Sequence, residues 1–384
     1  MNLNFSYCEF GDEEREAVNK VLQGNWLASG PEVEAFEAEF AAYIGTKYAI
    51  SVNSGSSANL LSLASLGLAP GSKVLTGACG FPATLAPIIH LRLVPVLIDY
   101  DRLTNNVDLN HLDKNVSAMI VAHTLGNPLD MKNLMEFADR HAIYVIEDCC
   151  EAVGSRYDGK QVGSFGKCGT FSFYPAHQMT AEGTGGMITT NDLQIARKCR
   201  SLRDWGKIWD WDTKLGNNVT KYTEMIDGIP YYKHYTYETV GYNAKLSETA
   251  AAFGRCQIKR LDGIREKRIE NYAKLYAKLE PLDLFYLVKA DQLAEPSWFG
   301  FTLTLKNPGL RESLGDYLET RGVRTRPFFA GNITRHKPFQ DYYREFPVAD
   351  KLMRDSMFIG IGQWLGDEEL NFITETIKQW NQSL

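Results

Sequence analysis

Short apolar runs alternate with helical patterns along the first part of the sequence, and this alternation is the feature that most restricts the fold. The runs lie at residues 48–52, 73–76, 94–98, 118–123 and 142–146. Helical patterns follow several of them, as at residues 60–68 and 131–141. Strands that alternate with helices form doubly wound, mainly parallel sheets, whose sites lie at the carboxyl ends of the strands. The sequence therefore predicts an α/β protein with a site at that edge.

The chain is long enough for two domains. Its 384 residues are 44% hydrophobic and 12% aromatic, which suffices for one large core and a second, smaller one. From Leu246 onward the pattern changes to long helical stretches, at residues 247–261 and 264–279. We therefore expect a large domain over residues 1–250 and a smaller one over residues 251–384.

Charge and apolar patterning exclude two classes of function. The formal net charge is −6, the pI is near 5.7 and there is no basic run, so we expect no nucleic-acid binding. No apolar stretch reaches the roughly 18 residues that cross a bilayer, and the first residues lack the pattern of a signal peptide. We expect a cytoplasmic protein without membrane contacts. Seven cysteines and no CxxC pair argue against a disulfide framework and against zinc, so no metal is expected.

Two segments have the composition of ligand sites. Residues 53–59 read Asn-Ser-Gly-Ser-Ser-Ala-Asn and open an apolar helix. Free N–H groups at such a helix start bind phosphate, although similar turns also cap many ordinary helices. Residues 142–148 run from five apolar residues straight into Glu147 and Asp148. A buried strand that ends in carboxylates is typical of a ligand site.

The third segment runs from Gly169 to Gly186 and centres on His177. Residues 170–174 are β-branched and aromatic and predict a strand, which Pro175 ends because proline has no N–H for an inner ladder. Residues 187–190 predict the next strand, so His177 lies on a turn between two strands. Most lone histidines on turns have no chemical role. The sequence context of His177 decides the interpretation.

That context resembles the sugar aminotransferase family of fold type I, whose members use pyridoxal phosphate and carry a Ser-Phe-x-x-x-Lys signature. Ser172 and Phe173 match the signature, and His177 stands where the family has the lysine that holds the cofactor covalently. Histidine cannot form that link. The replacement and the flanking Tyr-Pro-Ala resemble the 3-dehydratases that make 3,6-dideoxysugars from nucleotide-linked 4-keto-6-deoxyhexoses. The resemblance implies a large domain around a mainly parallel, seven-stranded sheet and a smaller α/β C-terminal domain.

The resemblance also implies where the cofactor phosphate binds. Gly55 and Ser56 match the family's phosphate-binding turn, and Ser172 joins them from the central segment. Asn243 matches a residue that reaches the cofactor phosphate of the neighbouring subunit. We therefore expect a homodimer with shared active sites.

Further matching positions face the cofactor ring or the substrate. Phe81 matches the aromatic residue that stacks on the pyridine, although the same spacing in the sequence also fits a phenylalanine of the hydrophobic core. Asp148 matches the residue that pairs with the pyridine nitrogen, and Glu151 falls near the ring oxygen. Arg326 lies in a segment that faces the nucleotide-sugar in the dehydratases; it can contact a phosphate or be simply solvated.

The implied reaction uses pyridoxamine 5'-phosphate held without a covalent link. His177 would remove a proton from the cofactor's aminomethyl carbon while the hydroxyl on sugar carbon 3 leaves. A histidine pKa near 6.5 would suit both accepting and donating that proton. L-glutamate would then regenerate the cofactor.

The dehydratases divide into a branch with an iron–sulfur cluster, which takes electrons from a reductase, and a branch without one. Cys150 stands near a cluster position, but residues 207–212, where the other thiolates belong, contain no cysteine. One thiolate cannot hold such a cluster, so we expect none. Residues 329–335 nevertheless look closer to the cluster-bearing branch. A reductase-coupled 3-dehydratase, a sugar 4-aminotransferase and a non-catalytic relative that binds the cofactor stay open, as does the nucleotide, GDP, CDP or other.

Overall fold

The computed structural model describes residues 1–208, 224–232 and 235–384. In these ranges the helices are α1 (Asp12–Gly24), α2 (Pro31–Ile44), α3 (Gly55–Ser65), α4 (Pro82–His90), α5 (Met131–His141), α6 (Leu193–Arg203), α7 (Glu248–Ile258), α8 (Leu261–Leu279), α9 (Arg311–Thr320), α10 (Pro347–Asp355) and α11 (Asp367–Gln382). The strands are β1 (Tyr48–Val52), β2 (Lys73–Gly77), β3 (Val94–Ile98), β4 (Ala118–Ala122), β5 (Tyr144–Asp148), β6 (Arg156–Tyr157), β7 (Lys160–Gln161), β8 (Cys168–Ser172), β9 (Gly186–Thr190), β10 (Glu224–Ile226), β11 (Ile229–Tyr231), β12 (Phe285–Tyr286), β13 (Ala294–Glu295), β14 (Gly300–Leu305), β15 (Thr325–Pro327) and β16 (Ser356–Gly360).

A seven-stranded sheet in the order β1-β9-β8-β5-β4-β2-β3 organises the large part of the chain. The pairings from β8 through β5, β4 and β2 to β3 are parallel. Only β9 runs antiparallel to its neighbours β1 and β8, because it follows β8 directly through the His177 segment without a crossover helix. The prediction of a mainly parallel, seven-stranded sheet is confirmed.

Helix α3 packs against β8 and β9 and begins earlier than the apolar pattern predicted. The pattern placed its first residue at Leu60, whereas the helix starts at Gly55. The reason is a side-chain cap: Ser54 Oγ accepts a hydrogen bond of 3.1 Å from the backbone N–H of Ser57. The Gly/Ser residues therefore form the first helical turn rather than a loop.

A second, four-stranded antiparallel sheet has the order β12-β14-β16-β15 and packs with α8, α9 and α11 around Trp380. Strands β13, β6 and β7 form a small separate sheet. Residue 250 lies inside α7, which packs on α1 and α2; the domain boundary near it stays a prediction. Every helix in the described part of the chain is too short or too polar to cross a bilayer.

Candidate active site

A cavity of ≈ 1080 Å³ opens at the carboxyl ends of the parallel strands, as the alternation of strands and helices predicted. It brings together all but one of the predicted site residues. Those that line it are Gly55, Ser56, Phe81, Asp148, Glu151, Ser172, His177 and Arg326. Asn243 is exposed, and its backbone forms an isolated β-bridge with that of Asp204. It does not line the cavity of its own chain.

One corner of the cavity is built from the start of α3 and the end of β8. A Cβ atom on Gly55 would lie 2.7 Å from Ser172 Cβ and 2.8 Å from Cys150 Sγ, so only glycine permits this approach. The N–H groups of Gly55 and Ser56 lie in the first turn and have no intrahelical acceptor. Beside them, Ser172 Oγ accepts a hydrogen bond of 3.3 Å from the N–H of Tyr174. This corner can bind a phosphate.

Asp148 ends β5 and is held by three donors. Asn59 Nδ2 and Thr84 Oγ1 donate to its Oδ2 at 2.8 and 2.7 Å, and the N–H of Cys150 donates to Oδ1 at 3.1 Å. A carboxylate fixed in this way can accept a hydrogen bond from a pyridinium nitrogen. Asn59 and Thr84, which the sequence did not single out, line the cavity and hold this carboxylate in place. Asn59 had a signal in the sequence, because it is an amide directly before the apolar run at residues 60–68.

Glu147 points to the opposite face of β5, since successive strand residues alternate. Together with His123 and Cys149 it forms the one group of metal-ligand type found among the described residues. Its carboxylate already accepts backbone N–H groups at 2.7–2.8 Å, from Gly163, Phe165 and Gly166. His123 Nδ1 accepts the N–H of Leu129 at 3.0 Å, which leaves Nε2 as the donor 3.3 Å from Glu147. These hydrogen bonds give the group a structural role without a metal.

Glu151 lies at the back of the cavity, where its Oε2 accepts the N–H of Leu125 at 2.8 Å. The pKa of the Glu151 carboxyl is raised to about 8. Burial is the largest cause, the Leu125 N–H opposes the rise and the charge of Asp148 adds to it, and the value includes all three effects. The side chain is therefore protonated at neutral pH. It can donate a hydrogen bond to an oxygen in the cavity, such as the ring oxygen that its sequence position predicts.

His177 lies half-buried on the segment between β8 and β9. Its ring contacts Phe299 and Tyr174, with ring centroids 5.2 and 6.4 Å away. The neighbouring Gln178 fixes the segment, because its Nε2 donates to the carbonyl oxygens of Ser297, at 2.7 Å, and Glu151. His177 Nδ1 is buried and has no hydrogen-bond partner among the residues that the structure describes. The ring is therefore held by packing and by its neighbour rather than by a bond of its own.

The expected pKa near 6.5 for His177 is wrong for the ligand-free site. Desolvation of the imidazole, whose Nδ1 is buried, is the larger cause and the positive charge of Arg268 the smaller one; together they lower the pKa of His177 to about 3. Arg268 is 1% exposed and donates to the carbonyl oxygen of Trp298 at 2.7 Å and to Gln363 Oε1 at 3.2 Å. The sequence pattern could not reveal this because Arg268 belongs to α8, far along the chain. The imidazole is neutral at physiological pH.

Neither a lysine nor a set of thiols accompanies His177. The described residues that line the cavity include no lysine and one cysteine, Cys150. Burial, followed by the charge of Asp148, raises the pKa of Cys150 and so disfavours its thiolate. All seven cysteines of the sequence lie in the described ranges as free thiols. The cluster-bearing branch has its other thiolates at positions matching residues 207–212. Of these, residues 209–212 lie outside the described residues.

Comparisons with known proteins give a consistent result. Residues 9–378 match the DegT/DnrJ/EryC1/StrS aminotransferase family. The lipopolysaccharide biosynthesis protein RfbH of Salmonella typhimurium is 35% identical over 392 residues, and the match covers 96% of this chain and 90% of that protein. The dTDP-4-dehydro-2,6-dideoxy-D-glucose 3-dehydratase of Saccharopolyspora spinosa is 36% identical over 392 residues, covering 96% of this chain and 84% of that protein.

Two crystal structures of GDP-4-keto-6-deoxymannose-3-dehydratase have the same fold. One, a variant with bound GDP-perosamine, matches with a TM-score of 0.89, and the other, with a trapped PLP-glutamate geminal diamine, with 0.87. Each is 26% identical and covers 98% of this chain and 100% of its own. The predicted fold type I aminotransferase architecture is confirmed.

Proposed function

The chain belongs to the DegT/DnrJ/EryC1/StrS aminotransferase family, and we propose that it is a pyridoxamine phosphate-dependent 3-dehydratase of a nucleotide-linked 4-keto-6-deoxyhexose. The observation that carries this proposal is the cavity itself. It has a phosphate corner at Gly55 and Ser56 and a fixed carboxylate at Asp148, but His177 instead of a lysine. A site of this kind can hold the cofactor without bonding to it. The relatives that are named 3-dehydratases support the same activity.

The residues present fit this cofactor. The cradle at Gly55, which a Cβ would fill, and the hydroxyl of Ser172 suit the phosphate. Asp148 would pair with the ring nitrogen, protonated Glu151 would donate to the ring oxygen and exposed Phe81 would cover the ring face. When bound, pyridoxamine phosphate supplies an amine that condenses with the 4-keto group and a ring that withdraws electrons.

His177 would move the proton. Because its imidazole is neutral, it can accept a proton from the aminomethyl carbon. In the cofactor-free cavity the low pKa keeps the imidazole unprotonated, and an imidazolium formed there is acidic enough to give its proton up. The same ring can therefore protonate the hydroxyl that leaves sugar carbon 3, so that water departs. Asp148 would favour proton removal, because its carboxylate would keep the ring nitrogen of the bound cofactor protonated.

The proposal includes glutamate as the second substrate and no iron–sulfur cluster. Overall, one oxygen leaves the sugar while L-glutamate becomes 2-oxoglutarate and ammonia, so the reaction balances without a reductase. A sugar 4-aminotransferase is disfavoured because no lysine lines the described cavity. A homodimer in which Asn243 completes the partner's phosphate site agrees with its exposed position. The cytoplasmic location expected from the sequence stays a prediction.

The test is mass spectrometry of the sugar product. The protein is incubated with pyridoxal phosphate, L-glutamate and GDP- or CDP-4-keto-6-deoxyhexose, without a reductase. Loss of one oxygen, with stoichiometric 2-oxoglutarate and ammonia, is the expected result. An amino sugar would mean transamination, and deoxygenation only after a reductase is added would mean the cluster-bearing branch.

A matched variant tests the role of His177. His177→Lys should allow a covalent link to the cofactor, so borohydride reduction should add the cofactor's mass to the variant but not to the natural protein. The variant should also lose deoxygenation. If the natural protein is labelled by borohydride to the same extent, another residue holds the cofactor and the proposed role of His177 is wrong.

A further inference from the structure

Phe5 and Ser6 line the cavity, although they are distant in sequence from the other residues that line it. Leu3 lies beside the four-stranded sheet: its N–H donates to the carbonyl of Gly322 at 2.7 Å, and its carbonyl accepts the N–H of Arg324 at 3.1 Å. This pairing brings Phe5 and Ser6 to the cavity. The N-terminal segment is thus part of the site.

The ring of Phe5 is firmly placed. It is 8% exposed and packs edge-to-face against Phe299 and Phe358, with centroids 5.7 and 5.3 Å away. Its backbone lies against Gly360, where a Cβ atom would come within 2.1 Å of the Phe5 carbonyl oxygen. Phe299 in turn contacts the ring of His177. Phe5 therefore sits in a continuous aromatic wall that reaches the proposed base.

Arg326 lies over this ring. Its guanidinium carbon is 5.2 Å from the Phe5 centroid, and its Nη1 donates to the carbonyl of Thr325 at 2.8 Å. In the part of the chain that the structure describes, Arg326 has no carboxylate partner, whereas the nearby Arg324 is paired with Glu319 at 2.9 Å. A cation at the cavity wall without an acidic partner remains available for an anionic ligand.

We propose that Phe5 is a positioning residue that holds Arg326 to bind the diphosphate of the substrate. This inference rests on the proposed function, which makes the substrate a nucleotide-linked sugar. The ring face attracts the guanidinium and limits its rotation, so that its planar fork can meet two phosphate oxygens. Arg326, Phe5, Phe299 and His177 follow one another along this wall through neighbouring ring contacts. A sugar whose carbons 3 and 4 face His177 would direct its diphosphate on carbon 1 along the wall towards Arg326.

The test is calorimetric binding of UDP, GDP, CDP and dTDP, and of the matching nucleosides, to the cofactor-loaded protein. The variants are Arg326→Gln, Phe5→Leu, Phe5→Tyr and the Phe5→Leu/Arg326→Gln double variant. Arg321→Gln is the matched control. The guanidinium carbon of Arg321 lies 3.4 Å from the ring centroid of Tyr317, but Arg321 does not line the cavity. The absorbance of the bound cofactor and the midpoint of thermal unfolding report that each variant is folded and loaded, and the rate of the glutamate half-reaction is measured separately.

Arg326→Gln should weaken binding of the preferred diphosphate about tenfold or more. Phe5→Leu should weaken it about two- to fivefold, and Phe5→Tyr should restore it because the aromatic face remains. Phe5→Leu should add little once Arg326 is gone, and neither nucleoside binding nor Arg321→Gln should show a change.

Three results would overturn the inference alone: unchanged diphosphate affinity in either Phe5→Leu or Arg326→Gln, an equal loss for nucleosides, or a slower glutamate half-reaction in Arg326→Gln. The last result would mean that Arg326 binds glutamate rather than the diphosphate. If the natural protein binds none of the four diphosphates, the proposed function fails and the inference fails with it.

Discussion

The substitution Gly55→Ala tests the phosphate corner directly. The new Cβ would lie 2.7 Å from Ser172 Cβ, whereas an ordinary contact needs at least 3.4 Å, so the start of α3 must move by about 0.7 Å. Cys150 Sγ, at 2.8 Å, can rotate away, but Ser172 ends the fully buried strand β8 and cannot. Overpacking of this kind destabilises by about 1–3 kcal/mol.

The same movement should weaken cofactor binding. It separates the first-turn N–H groups of α3 from the hydroxyl of Ser172, and weakening one hydrogen bond to a charged group reduces affinity by about tenfold. Urea unfolding of the cofactor-free protein measures the first effect, and titration with pyridoxal phosphate followed by absorbance measures the second.

Gly263→Ala is the matched control, because Gly263 lies in the first turn of α8 with nothing within 4 Å of its new Cβ. This change should be neutral or stabilise by up to about 1 kcal/mol. If Gly55→Ala is as stable as Gly263→Ala and binds the cofactor as the natural protein does, the close packing of α3 on β8 does not shape the site.

Three further predictions follow from charges and hydrogen bonds. The pKa of Glu151 is raised from its ordinary value of 4.5 to about 8 in the folded protein, so the stability that its protonated form contributes is complete below about pH 4.5, declines as the pH rises and is lost by about pH 8. In urea unfolding, the cofactor-free natural protein should therefore lose stability relative to Glu151→Gln as the pH rises from 4.5 to about 8; parallel curves would contradict this. The imidazole of His177 should stay neutral at about pH 5 in ¹⁵N NMR spectra of the cofactor-free protein, and Arg268→Gln should raise its pKa because a positive charge is removed. Titration of His177 near its ordinary pKa in the natural protein would disprove the burial argument. Glu147→Gln should cost about 3 kcal/mol in thermal or urea unfolding, because an amide cannot accept all the N–H groups that the carboxylate now satisfies; a loss below about 1 kcal/mol would refute that role.

Much of the fold was predictable because it depends on local patterns. The apolar runs at residues 48–52 and 94–98 became β1 and β3 with the same bounds, and residues 131–141 became α5. The helix start at Gly55 was missed because a single cap at Ser54 outweighs the apolar period that follows it.

The sequence by itself determined the chemical identity of the site: which residue replaces the family's lysine, which carboxylates end a buried strand and which turn can hold a phosphate. These are properties of residue type and order, and they do not depend on distant contacts. The tertiary structure alone decided that Asp148 faces the cavity while Glu147 faces away, that Phe5 and Arg326 meet across the chain, and that His177 is neutral. Burial and the approach of Arg268 set that last property, because a pKa depends on the surroundings that folding creates rather than on neighbours in sequence.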